Sequence, residues 1–281
     1  MIIRWMCVAI VSGCVVANVS CSPERGPVRD SGAARVLVIA TSPSVEEALA
    51  HLGQAFEASH PDVHVQLSVD TSLDLRRTVA AMENRGKSFI GSGPIHLVAP
   101  GGDEVITRME QKYYLLPEAK ALYATEQLVL IAPESLSEAP ESFAALAKMS
   151  TIRIAVADLK TRLGVETDRL LAALGVNSTG GARIDLANDR AGILDHVLSG
   201  QADVGIMFGQ DALRVQQRVR IVATAPAGLY KPIPHSLSME RYCPDRPLCG
   251  EFLRFVTSSE GQSVLKRLGY GPGKLSGVPV P

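Results

Sequence analysis

The chain has 281 residues, of which 46% are hydrophobic, 20% charged and 5% aromatic, with 28 Lys and Arg against 29 Asp and Glu. That balance excludes a disordered, collagen-like or polytopic membrane chain, and the lack of a basic excess argues against a nucleic-acid partner, whose phosphates must be stripped of counterions. A length of about 280 residues suits one large core or two of roughly 130 residues each, and with one Trp and six Phe that core is expected to be aliphatic.

The chain opens on the cationic Met1-Ile2-Ile3-Arg4, and Trp5 to Val19 is apolar apart from Ser12 and Asn18. A run of about 15 residues is short for a transmembrane span and right for the core of a secretory signal. The signal is expected to cover residues 1–21 and to end at a lipidated cysteine. Cys21 gives a normal signal length and is followed by a Ser/Pro/Gly tether over 22–34, while Val11-Ser12-Gly13-Cys14 offers an alternative at Cys14. The mature protein is then expected outside the cytoplasm, anchored to the membrane by lipid, where Cys243 and Cys249 can form a disulfide.

In the body, Arg35 to Ala40 reads as a buried strand, followed by Thr41-Ser42-Pro43-Ser44 and an amphipathic helix carrying Val45, Ala48, Leu49, Leu52 and Phe56. Ser44 falls at the expected N-cap of that helix, with Glu46 and Glu47 in its first turn. Val63 to Val69 alternates as a strand, Asp70-Thr71-Ser72 turns, and Leu73 to Met82 reads as a helix. Further strands are expected at 95–99, 127–132, 151–157, 202–208 and 218–224. Helices are expected from Asp103 through Met109, from about Thr161 to Leu174, from Asp189 to Leu198 and from about Pro247 to Leu268. Strand alternates with helix, so the class is α/β with mainly parallel sheets, and the element count suits two lobes.

Several motifs carry no chemistry. Gly91-Ser92-Gly93-Pro94 lacks the later glycine of a phosphate loop, and its proline opposes a helix start. The five residues between Cys243 and Cys249 have no second pair or nearby His to complete a zinc site. Ser263-Val264-Leu265-Lys266 has an acyl-transferase spacing without the partner motifs. What remains is a set of turns, Thr41 to Ser44, Asp70 to Ser72 and Lys160 to Gly164, each joining a strand's carboxyl end to a helix start. Helix N-termini favour anions, and ligands of open α/β sheets bind outside the carboxyl ends of the strands.

Taken in order, these segments resemble the periplasmic molybdate-binding proteins, the substrate-binding components of ABC transporters. The resemblance runs from about 35 to 271 and is carried by Val36 to Leu49, Ser68 to Val79, Gln127 to Pro133, Arg153 to Thr161, Ser199 to Phe208, and Phe252 to Gln262. It implies a two-lobed type II periplasmic-binding-protein fold with two crossing hinge strands, lobe one at 35–124 plus 226–281 and lobe two at 125–225. It implies a monomer that takes a tetrahedral oxyanion, molybdate or tungstate, between the lobes and delivers it to an ABC permease, with no cofactor and no metal. In that family two serines, three backbone amides and a tyrosine hydroxyl surround the anion. Ser44 and Ser72 match the serines, the amides fall at or near those two and at Gly164 and Arg190, and Phe208 stands where the family has tyrosine. Pro43 beside Ser44, Gly101-Gly102 and the Arg190 cation also depart from the pattern, so another oxyanion or a larger anion fits the same reading.

A serine hydrolase is the competing class. It would need a histidine converging on Ser44 or Ser72 and a carboxylate to orient it, and no turn supplies them. A sensor lobe that signals to a partner shares every feature of the transport reading.

Overall fold

The computed structural model describes residues 34–71, 75, 95–177 and 183–276. The expected signal and tether, Cys14, Cys21, Ser72, the 91–94 turn and all but Leu75 of the Leu73–Met82 helix lie outside the described residues.

The described chain builds two sheets. The first holds β1 (Arg35–Thr41), β2 (Val63–Val69), β3 (Leu97–Ala99), β4 (Leu115–Glu126), β10 (Ile233–Glu240), β11 (Tyr270–Gly271) and β12 (Lys274–Ser276), in the order β11-β4-β10-β3-β1-β2 with β12 also on β4. The second holds β5 (Leu128–Pro133), β6 (Ile154–Ala157), β7 (Ile184–Ala187), β8 (Val204–Phe208) and β9 (Val219–Thr224), in the order β7-β6-β8-β5-β9. The chain passes between the sheets twice, through Gln127 and through 225–232. Helices α1 (Glu46–Ser59), α2 (Asp103–Gln111), α7 (Arg246–Val256) and α8 (Ser259–Arg267) are interleaved with the first sheet's strands. Helices α3 (Phe143–Lys148), α4 (Arg162–Ala173), α5 (Arg190–Leu198) and α6 (Gly209–Arg214) are interleaved with the second's.

Each sheet packs its own core. Leu130, Ile131, Ile154, Ile193, Val204 and Ile206 close one, and Leu37, Ile39, Leu49, Leu52, Leu97 and Leu237 close the other. The cores are aliphatic in the main. Phe56 adds an edge-on aromatic contact with Phe252, the ring centroids 5.1 Å apart.

Three expectations need correction. The sheets are mixed: β1 pairs in parallel with β2 and β3, and β6 with β7 and β8, but β4, β10 and β5 run antiparallel to their neighbours. The terminal helix is two helices, because Ser258 caps a new one, accepting from the Gly261 N–H at 3.2 Å. Ser44 does not cap α1; the N-cap is Val45, without a side-chain hydrogen bond.

Candidate functional site

A cleft of about 570 Å³ lies where strand ends and helix starts of the two sheets face each other. From the first sheet it takes Pro43 and Ser44, after β1, and Glu126, at the end of β4. From the second it takes Ala157 at the end of β6, Thr161 to Leu163 at the start of α4, Asp189 and Arg190 at the start of α5, and Phe208, Gln210, Asp211 and Arg214 around α6.

The two helix starts are built the same way. Thr161 Oγ1 accepts from the Gly164 N–H at 2.9 Å, and Asp189 Oδ1 accepts from the Gly192 N–H at 3.0 Å. Each cap takes the third amide of its helix, leaving the first two, at Arg162 and Leu163 and at Arg190 and Ala191, without an intrahelical acceptor. Those amides carry the positive ends of the two helix dipoles. Ser44 is exposed, and its Oγ pairs with the Oγ of buried Ser42 at 2.8 Å. Because that hydroxyl caps no helix, it keeps hydrogen-bonding capacity for a ligand.

The charged side chains form a chain around the cleft. Buried Asp211 accepts from Arg190 Nη1 at 2.8 Å and from Arg214 Nη1 at 3.1 Å. Burial pushes the Asp211 carboxyl above the usual aspartate value, although both arginines oppose the shift. Arg214 also binds Glu47 on α1, and Arg162 Nη2 meets Glu104 Oε1 on α2 at 3.2 Å, so two ion pairs bridge the sheets at the cleft rim. Both are exposed, and each contributes about 0–1 kcal/mol. Deeper, Glu126 Oε1 accepts from Gln210 Nε2 at 3.1 Å and lies 3.2 Å from His235 Nε2.

Of the residues expected to bind ligand, Ser44, Arg190 and Phe208 come together in the cleft. Phe208 ends β8 half-buried and presents an apolar ring that has no hydrogen to donate. Gly164 does not line the cleft. It faces a separate pocket with Asp158, Leu159 and Leu186, and its amide is committed to Thr161; the amides one and two residues earlier are the open ones. Sequence reasoning missed Glu126, Gln210, Asp211 and Arg214. Gln210 and Asp211 follow a strand's carboxyl end directly, so the rule that singled out the other turns would have found them.

The family model for bacterial extracellular solute-binding proteins matches residues 37–271. The chain belongs to this family. The Mycobacterium tuberculosis (strain ATCC 25618 / H37Rv) molybdate-binding protein ModA is 24% identical to it over 273 residues, covering 95% of this chain and 98% of the relative. The Bacillus subtilis (strain 168) protein YvgL, described as an ABC transporter substrate-binding lipoprotein, is 22% identical over 250 residues, covering 89% and 91%. A solved structure from Clostridium difficile, described as the substrate-binding domain of a molybdenum ABC transporter, superposes with a TM-score of 0.70 at 20% identity, covering 84% of this chain and 98% of that one. The fold of this solute-binding protein is accordingly the two-lobed periplasmic-binding-protein fold. The family is a transport class of extracellular proteins, not an enzyme class.

Proposed function

We propose that this solute-binding protein captures a tetrahedral oxyanion, molybdate or tungstate, in the cleft and delivers it to an ABC permease. In this reading a lipid on Cys21, or on Cys14, holds it at the membrane. The lobes, 35–124 plus 226–281 and 125–225, close on the anion by hinge motion at the two crossings. The observation that carries the reading is the Ser44 hydroxyl, uncommitted to its helix, in one cleft with the first turns of α4 and α5. Neutral donors and helix dipoles hold an oxyanion without a competing proton, each charge-assisted hydrogen bond contributing about 1.5–3 kcal/mol. Ser72 is the second hydroxyl of the proposal. The names of the molybdate-binding relatives add support.

A second reading, a larger anion, is favoured by the exposed Arg190 guanidinium and the apolar wall of Phe208 in a cleft of about 570 Å³. Calorimetric titration of the wild type and Ser44→Ala with molybdate, tungstate, sulfate and phosphate tests the first reading. Binding weakened roughly tenfold to a hundredfold in the variant supports it. Unchanged affinity removes Ser44 from the site.

A further inference from the structure

Glu126 is out of place in an anion site. It closes β4, lines the cleft, and keeps 16% of its side chain exposed. A carboxylate only accepts hydrogen bonds, so it repels an oxyanion unless a proton lies between the two. Its other contacts fix it in place. Oε1 takes both Gln210 Nε2 and His235 Nε2, and among the described residues no donor meets Oε2.

Groups from each neighbouring element face this carboxylate. His235, on β10, is 2% exposed. Tyr270, on β11, is the register partner of Glu126, and burial, with the Glu126 charge adding to it, pushes its hydroxyl up to about 12. Tyr123, three residues back on β4, is raised by its own burial, and Asp211 and Arg214 on α6 form the ion-paired rim. Both tyrosines therefore stay protonated at neutral pH.

We propose that a proton is shared between Glu126 and the bound ligand, so that the cleft reads the protonation state of its oxyanion. This rests on the oxyanion reading of the cleft. An oxyanion that keeps a proton near neutrality, such as hydrogen phosphate, donates its own O–H to the carboxylate. One that has none, such as molybdate, binds with a proton taken from solvent onto Glu126, whose carboxyl O–H then donates to a ligand oxygen. Charge and atoms balance in both cases: carboxylate and hydrogen phosphate combine with no proton exchanged with solvent, carboxylate and molybdate combine with one proton from solvent, and no bond inside the oxyanion is broken.

The test is calorimetric titration of the mature chain with sodium molybdate and with sodium phosphate, in mildly alkaline solution where phosphate is mainly the dianion. Each titration is run in two buffers of different ionisation enthalpy, which counts the protons exchanged. The wild type should take up close to one proton per molybdate and close to none per hydrogen phosphate. Glu126→Gln should take up none with either. It should also shift the ratio of the two affinities toward molybdate by about tenfold or more, the worth of one hydrogen bond. Molybdate binding without proton uptake by the wild type overturns the proposal, as does uptake that survives in Glu126→Gln, which would assign the proton to another group of the cleft. If neither anion binds, the oxyanion reading itself falls and this inference with it.

Discussion

Gly101→Ala tests the site through the backbone that supports it. Gly101 follows β3 at φ 77°, a left-handed conformation that costs an L-residue roughly 1–2 kcal/mol. An added Cβ would lie 2.6 Å from Ser42 Oγ and would overlap Ser44 Oγ, so the 2.8 Å hydroxyl pair has to open and Ser44 has to turn away. Losing that hydrogen bond adds about 1 kcal/mol, for a total near 2–3 kcal/mol. At roughly 2–4 °C per kcal/mol for a chain this size, the Tm should fall by about 4–12 °C. Displacing Ser44 from the ligand should weaken oxyanion binding roughly tenfold to a hundredfold. Gly175→Ala is the control: its φ is 74° and nothing lies within 4 Å of the added Cβ, so it carries the backbone cost alone. It should lower the Tm by a few degrees and leave affinity unchanged. Melting curves and calorimetry on both variants separate the two effects. If Gly101→Ala is destabilised as expected yet binds like the wild type, Ser44 does not touch the ligand.

Phe208→Tyr adds a hydroxyl at the cleft wall and should raise molybdate affinity several-fold by calorimetry; no gain would remove Phe208 from the ligand's reach. Arg153 binds Asp203 through Nη2 at 2.7 Å and through its backbone N–H at 2.8 Å, which holds the carboxyl below its ordinary 3.8. That stability is present above the ordinary aspartate value and is lost as pH falls through the depressed folded value. The pair is partly exposed, so Asp203→Asn should cost about 1 kcal/mol at neutral pH, and the Tm gap to wild type should close below pH 3.8. The Cys243 and Cys249 sulfurs are adjacent, and the proposed disulfide should leave no free thiol in Ellman titration of the unfolded, unreduced mature chain. Globomycin should cause the precursor to accumulate, and processing unchanged in both Cys21→Ala and Cys14→Ala would exclude lipidation at either.

Much of the fold was legible in the sequence because its βα units are local. The run Val36 to Ala40, the turn after it and the helical spacing of Ala48, Leu49, Leu52 and Phe56 lie within a few residues of one another, and the structure keeps them as β1 and α1. The strands that were missed answer to distant partners. β4 carries Pro117, Glu118 and Lys120 yet pairs with β10 more than a hundred residues away, and β10 buries His235, Ser236, Ser238 and Glu240. A buried run this polar has no apolar signature, since what satisfies it comes from elsewhere in the chain. β7 exposes Leu186 on a sheet edge and has only four residues, too few to show a period. The site divides in the same way. Ser44 could be placed from a strand's carboxyl end, and Arg190 and Phe208 through the family resemblance, whereas Glu126 reads in sequence as one more surface carboxylate. Only the β4–β10 pairing and the start of α6 bring His235 and Gln210 to it. The Gly164 amide failed for a different reason: the Thr161 cap that makes the helix start recognisable also uses that N–H.

Native mass spectrometry of the mature chain, titrated with an equimolar panel of molybdate, tungstate, sulfate and phosphate, reports directly on whether the cleft holds an oxyanion. One anion should be bound per chain for at least one member of the panel, and Ser44→Ala and Gly101→Ala should each diminish that complex. A folded wild-type chain that binds none of the four has no oxyanion site.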